Sequence, residues 1–166
     1  MFEKFGEFDS AEELNMAAEG LKTEGDIESL KALAAENGID EMNVEDYLNG
    51  DSVILAGTIE AAFGKLDVEE NENAALFKNQ ELVSDWIAQI RSMMMEDENK
   101  QMAAAVRKKG KSLKECIGEI LKWAFQHQVS LHQDLLKAAG VNAGRVTMGV
   151  PGMRTAKELI RKYYLG

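Results

Sequence analysis

Ser112-Leu113-Lys114-Glu115-Cys116-Ile117-Gly118-Glu119-Ile120-Leu121-Lys122-Trp123-Ala124 decides how the rest of the chain is read. Ser112 with Glu115 three residues on is a capping box, in which two side chains satisfy orphan N–H groups at a helix start. Leu113, Cys116, Ile117, Ile120, Leu121 and Ala124 then recur at the spacing of a helix with one apolar face. Cys116 stands on that stripe, so it reads as core rather than as a nucleophile. The same box recurs at Ser10/Glu13, Ser130/Gln133 and Thr155/Glu158. Together the four boxes predict helices over 11–21, 113–127, 131–139 and 156–164.

Between these anchors the punctuation is also helical. A helix follows Gly25-Asp26 and stops at Asn37-Gly38, and a shorter one after Asn43 stops at Asn49-Gly50. Another is expected after Asp51, carrying Val53, Ile54 and Leu55, with Ile59 and Phe63 on its apolar face. Asp67-Val68-Glu69-Glu70-Asn71-Glu72-Asn73 is the best candidate linker. A long helix over about 80–97 places Leu82, Trp86, Ile87 and Ile90 on one stripe, and a further helix covers about 99–109. Gly140 to Gly152 holds four glycines, Pro151 and the β-prone Val146-Thr147, and reads as an ordered loop or short strand. The expected fold is mainly α, a bundle of about seven to nine short helices. Its two parts are an acidic helical region, 1–73, and a helical region, 74–166, with a basic C-terminal part, separate or folded as one compact domain.

Composition agrees. Pro151 is the one proline among 166 residues, and 45% apolar with 29% charged residues is ordinary for a globular chain and excludes wholesale disorder. A single cysteine forms no internal disulfide and points to a reducing compartment. The first residues show neither a basic start nor an apolar core, so no signal peptide is read and a cytoplasmic location is expected. The longest apolar runs fall far short of a membrane span.

The charge is divided. Residues 1–99 hold 25 acidic and 6 basic side chains, a net −19, whereas residues 100–166 hold 4 acidic and 13 basic, a net +9. Either the two halves attract and organise one monomer, or one of them faces a charged partner. A surface of −19 repels free DNA, which disfavours DNA coating by the whole chain.

Two stretches echo a helix-turn-helix. Leu30 to Ile39 has the small residues and the glycine of such a turn, but the following helix would bring Asp40, Glu41, Glu45 and Asp46 toward phosphate, so it reads as a packing hairpin. Leu135 to Val141, followed by Asn142, Arg145 and Thr147, has suitable charge but runs into a glycine-rich poor helix former. Arg107, Lys108, Lys109, Lys111 and Lys114 form the densest basic run, a solvated face or a contact to phosphate or acidic protein. Met93-Met94-Met95 reads as core filler ahead of an adaptable contact surface.

No catalytic or metal constellation assembles. His127 and His132 are five apart, missing the spacing that sets two ligands on one helix face. Residues 67–78 imitate a calcium loop but place Glu72 at the turn glycine and Lys78 at the bidentate carboxylate. The chain therefore reads as a binding protein without cofactor or metal, and an enzyme with an unrecognised site is the minor reading.

Met102-Ala103-Ala104-Ala105-Val106, Lys111-Ser112-Leu113-Lys114-Glu115-Cys116-Ile117 and the closing Tyr163-Tyr164 together carry a family resemblance. The chain resembles the PcfK-like accessory proteins of Gram-positive conjugative elements, a group that overlaps a family of anti-CRISPR proteins inhibiting Cas9. The resemblance begins at about residue 102; the acidic half and the 140–152 segment depart from it. It implies a mobile-element protein that inhibits a CRISPR effector nuclease by protein–protein contact. The acidic residues nominated for that contact are Asp40, Glu41, Glu45, Asp46, Glu69, Glu70 and Glu72. The alternative is a DNA-transfer accessory that touches DNA or a relaxase through residues 100–166, with Arg107, Lys108, Lys109, Lys111, Lys114 and Arg145 as contacts.

Overall fold

The computed structural model describes residues 2–77 and 81–166. Its elements run α1 (Ala11–Glu24), α2 (Ile27–Glu36), α3 (Glu41–Asn49), α4 (Thr58–Glu72), α5 (Ala74–Phe77), α6 (Glu81–Glu96), α7 (Gln101–Arg107), α8 (Leu113–Gln126), β1 (Val129–Ser130), α9 (Gln133–Ala138), β2 (Thr147–Met148) and α10 (Met153–Leu165). The mainly helical bundle expected from the sequence is the fold observed; Gln80, the expected start of the long helix, and Lys78 of the calcium-like stretch lie outside the described residues.

Local chemistry sets most boundaries. The Ser10 and Ser112 hydroxyls accept the backbone N–H groups of Glu13 and Glu115, each at 3.2 Å, and start α1 and α8. Asp26 and Asp40 do the same for α2 and α3 through Ser29 and Met42. Gly25 and Gly50 end α1 and α3 at φ 75° and 85°, a left-handed conformation natural to glycine.

Five expectations are corrected. No helix follows Asp51: the Asn15 side chain accepts from Leu55 and Ala56 N–H at 2.9 and 3.1 Å and donates to the Ala56 carbonyl at 2.8 Å. These bonds hold 52–57 in a bent, non-helical path, so α4 begins only at Thr58 and Val53 stands 92% exposed. The supposed linker 67–73 instead supplies the last turns of α4. Ser130 lies in β1 and hands its capping role to His132, and α10 starts at Met153, before Thr155. On α6 the buried stripe runs Val83, Trp86, Ile87, Ile90, with Leu82 exposed.

Two hydrophobic clusters meet on α4. Leu14, Ala18, Leu30, Leu33, Val44, Tyr47 and Leu55 gather around Ala61, while Leu66, Trp86, Ile90, Met94, Met102, Leu113, Cys116, Ile120 and Ile160 gather around Ala62. Met93 and Met94 are buried as filler, whereas Met95 is exposed. Gly38, at φ 66°, lies directly against Gly64 of α4, and a Cβ on either would strike the other's backbone. Burying large apolar side chains such as Trp86, Leu66 or Ile120 stabilises the fold by roughly 1.5–3 kcal/mol each.

After α8 the chain leaves this body. β1 and β2 pair antiparallel, Val129 opposite Met148 and Ser130 opposite Thr147, with α9 between them. Gly149 brings the returning strand against the Ala124 carbonyl of α8, where a side chain would collide. Among the described residues of this arm, 121–150, Leu136 is the only one buried.

Candidate functional site

The junction of the two clusters holds the strongest electrostatics. Lys65, Glu69, Arg107 and Asn37 are 1%, 3%, 0% and 0% exposed. Lys65 Nζ reaches the Glu7 carboxylate at 2.5 Å and the Lys108 carbonyl at 2.8 Å, with Glu69 at 3.9 Å. The Glu69 carboxylate accepts the Leu113 N–H at 2.6 Å, so α4 places an anion at the positive end of α8. Burial raises the Glu69 carboxyl above its usual range against the opposing pull of Leu113 and Lys65. Arg107 Nη2 donates to Asn37 Oδ1 at 2.5 Å, beneath the rings of Phe2 and Phe8, and burial lowers its pKa.

Glu69 and Arg107 therefore do not stand on the surfaces proposed for them; each faces inward because it shares a helix stripe with buried apolar neighbours. The rest of the basic run is scattered. Lys111 Nζ donates to the Tyr163 carbonyl at 2.5 Å and lies over the Tyr163 ring. Lys109 sits 3.6 Å from Glu13, the one ion pair among the described residues that joins residues 1–99 to 100–166. Lys108 and Lys114 are exposed, and Arg145 is exposed with Nε donating to Ser130 Oγ at 3.2 Å.

The acidic nominees divide in the same way. Glu70 joins Asp67 in pairing with Arg91, at 2.8 and 2.7 Å. Glu72 is exposed at the end of α4. Asp40, Glu41, Glu45 and Asp46 come together on α3, all exposed, and among the described residues no cation pairs with them.

Asp40 and Asp46 border a groove, with Asn43 between them, whereas Glu41 and Glu45 line neither of its hollows. One hollow of about 460 Å³ lies among Asp40, Asn43, Ile59, Glu60, Phe63, Asp67 and Met95. A neighbouring hollow of about 360 Å³ lies among Asn43, Asp46, Ile54, Glu60 and Lys100, and shares Asn43 and Glu60 with the first. Asp40, Asp46, Glu60 and Asp67 thus line an apolar floor that includes the exposed Ile54 and Met95. Sequence reading missed Glu60, Asp67 and Met95 here, because it takes the contact of the α2–α3 turn with α4 at Gly38 and Gly64, and the packing of α6 on α4, to bring them beside α3. Chemically the groove suits a cationic, partly apolar surface. Among the described residues no group of three or more His, Cys, Asp or Glu is placed to hold a metal, and no helix is long and apolar enough to cross a membrane.

Compared with protein families, curated proteins and solved structures, the chain has no match.

Proposed function

We propose that this is a non-catalytic binding protein of a mobile element that inhibits a Cas9-type CRISPR effector nuclease by occupying its nucleic-acid cleft. The observation that carries the reading is the set of exposed α3 carboxylates, paired with no cation among the described residues, beside a groove with an apolar floor. Effector nucleases present cationic channels for the guide–target duplex, and an acidic face of this kind competes there. The resemblance of residues 102–164 to PcfK-like and anti-CRISPR proteins points the same way. The contact set is Asp40, Glu41, Glu45 and Asp46 with Glu60; Glu69 is reserved for the interior. In plasmid cleavage, Glu41→Lys/Glu45→Lys/Asp46→Lys is expected to abolish inhibition while leaving the fold intact. Undiminished potency of that variant would remove the α3 face from the mechanism.

The second reading, a DNA-transfer accessory acting through residues 100–166, is favoured by the exposed Lys108, Lys114, Lys137 and Arg145. It predicts DNA binding by the full chain that falls steeply between low and moderate salt. Binding indifferent to salt, or none, would exclude it.

A further inference from the structure

The arm, residues 121–150, inverts the usual arrangement of a small domain. Phe125, Leu135, Val129 and Met148 are 73%, 64%, 63% and 52% exposed, and Leu121, Val141 and Val150 are exposed with them. Direct pairing across the ribbon sets Val129 and Met148 on one face, and Ser130 and Thr147 on the other. On the polar side Arg145 reaches Ser130 Oγ and Thr147 donates to Gln128 at 3.0 Å. The chain thus orders a ribbon and a helix that cover almost nothing of their own. So many exposed apolar side chains on one short segment, with Val129 and Met148 side by side, mark an association surface.

The chemistry on the arm states what fits it. Its cations are Lys122, Lys137 and Arg145, against the single acid Asp134, in a chain whose net charge is −10. The apolar residues are mostly aliphatic, which suits a protein surface better than stacked bases. The complement is an acidic groove with an apolar floor, and this chain carries one between α3 and α4. We infer that the protein pairs with a second copy of itself, each protomer's arm seated in the partner's α3–α4 groove. The exchange is reciprocal, so two identical contacts close on a twofold axis and do not propagate. Phe125, Val129, Leu135 and Met148 supply apolar anchors to the Ile54–Met95 floor, and Lys137 and Arg145 face the α3 carboxylates. The same groove serves the target proposed above, so self-association and target binding exclude each other; the inference itself stands without that target.

Sedimentation equilibrium of the full chain tests it. At about 100 µM in low salt, well above a micromolar dissociation constant, the expected mass is twice that of the chain. A single-chain mass under those conditions would overturn the inference. Lys137→Glu/Arg145→Glu (arm) and Asp46→Lys/Glu60→Lys (groove, with the Asp40 cap left intact) should each sediment as monomers. Mixed in equal amounts they should recover the dimer, because the heterodimer opposes Glu to Lys in one contact and keeps both native partners in the other. Recovery also excludes misfolding as the reason either variant is monomeric. Variants that remain dimeric alone, or monomeric variants that fail to recombine, contradict arm-in-groove exchange.

Discussion

Between α4 and α7 the molecule buries charge, and beyond α8 it exposes hydrocarbon. At the junction, Lys65, Glu69 and Arg107 lie inside: Glu7 and the Lys108 carbonyl meet Lys65, the Leu113 N–H meets Glu69, and Asn37 takes one N–H of Arg107, whose Nε and Nη1 have no hydrogen-bond partner among the described residues. On the arm, Phe125, Val129, Leu135 and Met148 face solvent and compensate nothing. A buried charge costs several kcal/mol unless its partners are held in place, so the junction is rigid by necessity. The arm has few buried contacts and is free to be completed from outside. Residue type alone does not assign a position: three charged side chains lie inside the junction, and four large apolar ones lie exposed on the arm.

The largest expected effect lies at the junction. Glu69→Ala leaves Arg107 and the Leu113 N–H in the interior without their nearby anion and removes the negative charge at the start of α8, while Lys65 keeps Glu7, at a cost of about 3–5 kcal/mol. Glu69→Gln keeps an acceptor for Leu113 and should be distinctly milder; equal losses for the two, in urea denaturation, would mean the charge is not what matters. Gly64→Ala comes next, at roughly 1–3 kcal/mol, because its Cβ meets the Asn37 and Gly38 backbone where the clusters join. A thermal midpoint matching that of the unsubstituted protein would show that the crossing is looser than drawn.

Alkaline pH gives a smaller, graded effect. Burial pushes the Cys116 thiol from 9.0 up to about 12. The folded state holds this proton more tightly, so its stabilising contribution is complete below about pH 9 and disappears as pH rises toward 12. Cys116→Ala should therefore lose less stability than the parent over that window, and parallel curves would contradict it. At the bottom of the scale, Phe125→Ser or Leu135→Ser should change the stability of dilute protein by no more than about 0.5 kcal/mol. A large loss there would mean that the arm is part of the core after all.

The legible parts of the fold are those settled locally. Ser10 and Ser112 start their helices as capping boxes, and the stripe through Leu113, Cys116, Ile117 and Ile120 is buried as its spacing requires. Residues 52–57 were not legible, because the bonds that hold them out of a helix come from Asn15, some forty residues away. The buried charges did leave a trace. Lys65 and Glu69 stand with Ala62 and Leu66 at helical spacing, as Arg107 stands with Ala103, so periodicity read without regard to polarity would have placed all three inside. Of the site, the α3 carboxylates could be nominated from sequence; Glu60, Asp67 and Met95 could not, since only the tertiary crossing sets them alongside.

Target-plasmid cleavage by Cas9 in the presence of excess protein, beside a restriction enzyme on the same DNA, decides whether the α3 face inhibits the effector. The protein is expected to stop Cas9 and spare the restriction enzyme, and Glu41→Lys/Glu45→Lys/Asp46→Lys is expected to restore Cas9 cutting. Cas9 cleavage that proceeds unchanged with the unsubstituted protein, or inhibition that survives reversal of the α3 face, would contradict that role.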